Sequence, residues 1–483
     1  MQQPPRRQPD AQRSDLAHGV ARGLSRVVFG LLALGLIGCS TTQLPPVSSL
    51  GPNFEPLPDE LRLWHESRQE EQSLLDEVST YDDPLLVDYL EGLVGRLTPP
   101  GMAANPELTY RVTVLEDPTL NAFAYPHGSI FVHTGLLARM ENEAQLATVL
   151  GHEMSHVEQR HMLRHRRSAR NRQIGLAAAS IAAAILVADA QGDAIDDGRY
   201  GRAFRIGVLS NIFVDLGLHL AYLASVNGYG RGLELEADQG AFQKLDTHGY
   251  DPEQAAAVYR TLRSDRGDVG NLESYFFGSH PKLTARIANA EQWASSHPDV
   301  DDDVPDASPD DGAHSHDAHS HDAHRRASHR HANHSHDGLG DMETFNRRIR
   351  PVLRDDARLN IEVGRLNLAE SQLERALALL PTDPETHFLF ARLRLAQAQA
   401  APNDAEWGSL NQSAQGALQE TLRLDPMHAP ALLELGFLAY DEDDFDAACH
   451  LFERYVELAP EAEETPRIRD YVLELDRDGY CGI

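Results

Sequence analysis

Lysine is nearly missing from this chain. Only Lys244 and Lys282 occur in 483 residues, and 43 basic side chains face 74 acidic ones, for a formal net charge of -31. No basic stripe is present to neutralise phosphates, which argues against a nucleic-acid partner. An acidic, lysine-poor surface suits a salty exterior, and biased genome composition produces the same scarcity equally well. Long apolar runs are also lacking. The N-terminal run Val27 to Ile37 and the alanine-rich run Ile174 to Ala188 both fall short of the roughly 20 residues that a bilayer requires. The second reads as a buried helix, with a membrane-dipping element as the alternative. Ala203 to Val226 carries Arg205, Asp215 and His219 and suits a span less well still. Cysteine occurs three times. Cys449 and Cys481 either pair in an oxidising compartment or are a buried thiol and a frayed end.

The third cysteine has a more telling context. Arg22 and Arg26 precede VVFGLLALGLI, which has the length of the apolar stretch in a secretion signal. It runs into Leu36-Ile37-Gly38-Cys39, which resembles the lipobox of bacterial lipoproteins, where the cysteine is lipidated and becomes the first mature residue. By that resemblance Cys39 is the lipidation site. Ser40, in place of aspartate, implies the periplasmic side of a Gram-negative outer membrane. The expected organisation is a signal peptide over 1–38, a lipidated tether over 39–60 and a globular region over 61–299. A linker over 300–340 and a repeat region over 341–483 follow.

Texture along the chain supports those divisions. Leu61 to Leu97 has helical apolar spacing, with Asp82-Asp83-Pro84 as a start signal. Leu108 to Leu115 and Ser129 to His133 read as strands around a Pro/Gly turn region, predicting a small antiparallel sheet. Leu136 to about Arg167 is helical with a break near Glu141, and Gly232 to His248 forms a later helix. Asp301 to Asp337 holds almost nothing apolar and reads as a disordered linker, rich in Asp and His. Its histidines serve either as a weak zinc buffer or as a solvated spacer. Beyond it, Gln372 to Pro381, Ala417 to Pro426 and Leu451 to Pro460 share a helix-ending pattern with Leu379, Leu424 and Leu458 in the same place. The last two are offset by 34 residues, the period of a tetratricopeptide repeat.

The chemistry centres on VLGHEMSHVEQRH, Val149 to His161. In His152-Glu153-Met154-Ser155-His156 two imidazoles stand one helical turn apart, as zinc ligation requires. Catalytic zinc takes three protein ligands and leaves a position for water, so a third ligand is sought elsewhere, and Glu234-Leu235-Glu236-Ala237-Asp238 lies on a later helix. Glu153 is suited to accept the water's proton and pass it to the leaving amine. Asp238, one turn after Glu234, suits an outer carboxylate that orients a ligand imidazole; Glu236 points elsewhere. His161 and His165 read as solvated residues on other helix faces. Ser129, Ile130, Phe131, Val132 and His133 are expected at the sheet edge beside the cleft, where an extended substrate backbone can pair.

These segments, with Asn121 to Leu137 upstream, resemble the gluzincin peptidase family that includes HtpX and the CAAX prenyl proteases, over about Leu61 to Trp293. The resemblance implies an α+β fold: a mostly helical metalloprotease domain with a small antiparallel sheet, followed by an all-α tetratricopeptide-repeat domain, as in periplasmic lipoprotein members. It implies one Zn2+ held by His152, His156 and Glu234. Ser279-His280-Pro281 resembles the family's His-Pro segment, which makes His280 either an oxyanion stabiliser or a plug on the zinc, with Arg286 following it nearby. Expected partners are unfolded or misassembled outer-membrane proteins and their assembly machinery. The alternative is a repeat-based chaperone or assembly scaffold with a latent or closed metal site.

Overall fold

The computed structural model describes residues 41–103, 105, 107–173, 231–264, 283–297 and 338–481. The signal segment with Cys39, the run 174–188, the run 203–226, His280 and the histidine-rich tract all lie outside the described residues.

The first region is built from helices α1 (Pro58–Glu77) and α2 (Pro84–Leu97), strands β1 (Arg111–Leu115), β2 (Ala122–Ala124) and β3 (Ser129–His133), and helices α3 (Thr134–Arg139) and α4 (Glu143–Glu158). A helical run α5 covers 161–173. Then come α6 (Arg231–His248), α7 (Glu253–Ser264) and α8 (Leu283–Ser296). Asp83 starts α2 by accepting hydrogen bonds from the amides of Leu85 and Leu86, with Pro84 at the first turn, where its missing N–H costs nothing. The buried stripe Leu86, Leu90, Leu93, Val94 and Leu97 then faces the core, at the spacing expected of an amphipathic helix.

The sheet differs from the expected antiparallel pair. Its order is β1-β3-β2, and β1 runs parallel to β3, from Arg111 opposite Ser129 to Leu115 opposite His133. The antiparallel partner of β3 is β2, with Ala122 opposite Val132 and Ala124 opposite Ile130. The hairpin explains this. The turn at Tyr125 to Gly128, where Gly128 takes φ 102°, reverses the chain, so β3 regains the direction of β1 and inserts between the other two strands. The expectation that residues 129–133 form the edge is therefore corrected: β3 is the central strand and all five of its residues are buried. The outer side of β1 is covered, because Tyr81 donates to the Val114 carbonyl and Glu116 to the Ser79 carbonyl. That leaves β2 as the strand with one partner among the described residues, with Ala122 buried and Phe123 and Ala124 half-buried.

The repeat region is all helical: α9 (Met342–Glu362), α10 (Leu366–Leu379), α11 (Pro384–Gln399), α12 (Asp404–Leu424), α13 (Ala429–Asp441), α14 (Phe445–Leu458) and α15 (Thr465–Asp478). Leu379, Leu424 and Leu458 are the last residues of α10, α12 and α14, the place that the repeated pattern gives them. Helices pair along the chain, and Gly436 lets α13 and α14 close up, since a Cβ there would stand 2.5 Å from the Phe452 ring. Cys449 and Cys481 are joined in a disulfide that fastens the tail to α14.

Helix α9 belongs to both regions. Phe345, Ile349, Val352 and Leu353 are buried in the same core as α2 and the sheet. Around this contact Thr134 donates to Asp356 (3.0 Å), Tyr81 to Asp355 (2.6 Å) and Arg375 to the Met140 carbonyl (2.6 Å). Just before α9, the Leu339 carbonyl accepts from the Ala144 amide (3.1 Å) at the start of α4. Among the described residues no helix is long and apolar enough to cross a membrane.

Candidate metal centre

Helix α4 starts at Asn142, whose side chain accepts from the Gln145 amide, and every residue from Glu143 to Glu158 is buried. A helix with no exposed face needs close neighbours on several sides. The nearest is α6, and two glycines set how near it comes. A Cβ on Gly240 would lie 2.2 Å from Ser155 Oγ and 2.8 Å from its Cβ, and one on Gly151 would lie 3.4 Å from the Ala241 Cα. Farther along the same contact Lys244, one of the two lysines in the chain, is buried and donates to Glu158 (2.7 Å). Gly240→Ala is expected to cost about 1–3 kcal/mol through overpacking and to weaken metal binding, because it pushes α6 away from α4. Ser155→Gly in the same chain should recover part of both losses, as read by urea denaturation and a zinc-chelator competition.

This close crossing brings Glu234 to the two imidazoles. His152 Nε2 stands 3.0 Å from His156 Nε2, while Glu234 Oε2 is 3.6 Å from His152 Nε2 and Glu234 Oε1 is 3.7 Å from His156 Nε2. Ligand atoms from all three lie within 4.8 Å of one another, and all three residues are buried. Such separations suit donors around one ion with bonds of about 2.0–2.2 Å, and a His2Glu set matches catalytic zinc. Glu153 is buried, 2% exposed, between the two histidines in sequence.

The outer nitrogens of both imidazoles are held. His152 Nδ1 is 2.9 Å from Asp238 Oδ1, so the Nδ1–H donates to the carboxylate and the Nε2 lone pair is left for metal. Asp238 in turn accepts from Tyr259 (2.7 Å) and from Arg286 Nη2 (2.6 Å), and the Arg286 guanidinium lies 4.3 Å from the centre of the Tyr259 ring. Burial disfavours charge on Asp238, but Arg286 and His152 outweigh it and hold its pKa down at about 2. Burial and Arg286 both oppose a proton on His152, yet hydrogen bonds to Asp238 and Glu234 prevail and raise its pKa to about 9.

His161 departs from its expected place. Helix α4 ends at Glu158, and Arg160 takes φ 58°, a left-handed conformation that L-residues rarely adopt. The turn is secured by Arg160, which donates through Nε to Glu60 (2.8 Å) and stacks over Phe54. After it His161 points back, fully buried, with its Nδ1 2.9 Å from His156 Nδ1. Glu236 also faces the site, 3.5 Å from His161 Nε2 and bonded to Arg164 (2.8 Å). A regular helix would carry residue 161 around to another face, so only the break after Glu158 could have revealed the contact. Tyr259 left no signal in the sequence. His133, expected at a substrate edge, instead bonds Thr119 (2.8 Å).

Comparison with known proteins agrees with this geometry. Residues 88–294 match the family model described as Peptidase family M48. The beta-barrel assembly-enhancing protease of Yersinia pestis is 28% identical over 224 residues, which are 44% of this chain and 40% of that protein. Its Escherichia coli (strain K12) counterpart is 28% identical over 225 residues, with the same shares. The mitochondrial metalloendopeptidase OMA1 of Schizosaccharomyces pombe is 26% identical over 241 residues, 49% of this chain and 63% of that protein. The match thus spans about two fifths of the length of the two bacterial relatives.

Proposed function

We propose that this chain, whose residues 88–294 match the peptidase family M48 model, is a zinc endopeptidase that cuts unfolded or misassembled envelope proteins. The observation that carries the reading is the convergence of His152, His156 and Glu234 from α4 and α6 on one buried point. His152, His156 and Glu234 would hold a zinc ion there, which would supply Lewis acidity toward the scissile carbonyl and a water of pKa lowered toward ~7. Glu153 takes the water's proton and delivers it to the departing amine. Asp238, fixed by Arg286 and Tyr259, keeps the His152 tautomer that ligation needs.

Substrate engagement falls to β2 rather than β3. Phe123 is registered opposite Phe131, and the flanking bonds from His133 to the Asn121 carbonyl and from Tyr125 to the Ser129 carbonyl make 121, 123 and 125 the hydrogen-bonded positions. Ala122 and Ala124 then turn their backbone groups away from β3; Ala122 is buried, so the half-buried Ala124 is where an extended chain can begin to pair. Recognition of backbone selects unfolded polypeptide over a sharp sequence. The repeat helices hold clients or the outer-membrane assembly machinery, a reading drawn from the chain's similarity to beta-barrel assembly-enhancing proteases. In this reading Cys39 carries a lipid anchor in the outer membrane, facing the periplasm, supported by the Leu36-Ile37-Gly38-Cys39 segment.

Metal removal tests the proposal. Chelation is expected to abolish cleavage of an unfolded substrate such as casein, and one equivalent of Zn2+ per chain should restore it. Cleavage that persists without metal would end the zinc reading, and absence of cleavage by the zinc-loaded protein would leave the repeat-based scaffold.

A further inference from the structure

The two ligand imidazoles are oriented by different means, one by a carboxylate of α6 and the other by the ring of His161 at the start of α5. His152 meets the carboxylate of Asp238 directly, at 2.9 Å. The outer nitrogen of His156 meets the ring of His161, Nδ1 to Nδ1 at 2.9 Å, with Glu236 beyond at 3.5 Å from His161 Nε2. Glu234, Glu236 and Asp238 all come from the first turns of α6. We infer that His161, backed by Glu236, is the positioning residue that fixes the His156 imidazole for metal binding. This rests on the zinc reading given above.

The hydrogen bonds run in one consistent direction. With Nε2 of His156 turned to the metal, its Nδ1 carries the proton and donates to Nδ1 of His161. The latter ring must then carry its own proton on Nε2, where the Glu236 carboxylate stands at ion-pair distance, 3.5 Å. Glu236 is the correct terminus because it is acceptor-only when ionised, and Arg164 holds it through Nη1 at 2.8 and 2.9 Å to its two oxygens. Each element has a further structural cause. The left-handed Arg160 swings His161 inward, and Glu60 and Phe54 anchor that arginine. A left-handed non-glycine residue costs roughly 1–2 kcal/mol, so a turn of this kind persists only where its surroundings hold it. Simple core filling does not call for an imidazole with both nitrogens beside polar partners.

Outer partners of metal-bound histidines are worth roughly 10–100-fold in metal affinity. His161→Phe, which keeps a ring but removes the acceptor, should lower zinc affinity by about that factor in a chelator competition and shift the visible spectrum of the Co2+-loaded protein. His161→Asn, whose amide oxygen falls near the place of Nδ1, should keep most of the affinity and the native spectrum. Glu236→Ala should give a smaller loss than His161→Phe, because the ring remains. Equal affinity in the Phe variant and the natural protein overturns the inference, and so does equal weakness of the Phe and Asn variants. Melting of the metal-free proteins separates both outcomes from misfolding. If the Phe variant does not fold, His161→Ala is compared with His161→Asn by the same criteria. Failure of the natural protein to bind zinc would instead count against the proposed function.

Discussion

Glu153→Gln is expected to lower kcat/KM for an unfolded substrate by about 10²–10⁴-fold, the usual worth of a positioned general base, with zinc content unchanged. Glutamine has the size of glutamate and can still hydrogen-bond, but it cannot take a proton from water. Glu153 lies between the two ligands on a fully buried helix, so a larger change would confuse loss of chemistry with loss of packing. The measurement pairs steady-state cleavage with metal analysis of the same sample. A glutamine variant that cleaves at the natural rate would remove Glu153 from the chemistry, while one that loses zinc would make it a structural residue.

Arg286→Met should cost about 3–5 kcal/mol, the penalty for leaving a buried charge without its partner. Arg286 is 2% exposed, bonds Asp238 through Nε and Nη2, and has Nη1 3.8 Å from Glu234 Oε2. Without it two buried carboxylates face each other across the His152 ring. Methionine preserves much of the apolar stem, which isolates the charge. Arg286→Lys should not rescue fully, because a single ammonium cannot reproduce the planar fork that reaches Asp238 and lies over Tyr259. Urea denaturation reads the loss. Adding Asp238→Asn should recover much of it, since one of the stranded charges disappears, whereas a simple sum of the single losses would show that the two side chains act independently.

The site was legible where its chemistry depends on local spacing. HExxH on a helix and Glu234 with Asp238 one turn apart need nothing beyond a regular 3.6-residue repeat, and the structure brings His152, His156, Glu234, Asp238 and Arg286 together. What escaped depends on breaks in regularity. His161 reaches His156 only because Arg160 leaves the helical conformation. The parallel pairing of β1 with β3 follows from β2, a strand of three residues within Asn121 to Tyr125, too short to announce itself by alternation. The repeats were visible because their leucines end helices at matching positions, but no periodicity discloses that the first helix of the array completes another core. Cys449 and Cys481 stood open in the sequence between a bond and two thiols, and only the fold of the C-terminal helices brings them together.

Helix α9 makes the protein mechanically a single piece. Phe345, Ile349, Val352 and Leu353 lie in the core that also holds α2 and α4, and the Leu339 carbonyl caps the amide of Ala144 at the root of the metal-bearing helix. The array cannot swivel like a flail on a cord, since its first strut is a wall of the chamber it serves. A push on the repeat helices is therefore delivered at the foot of α4.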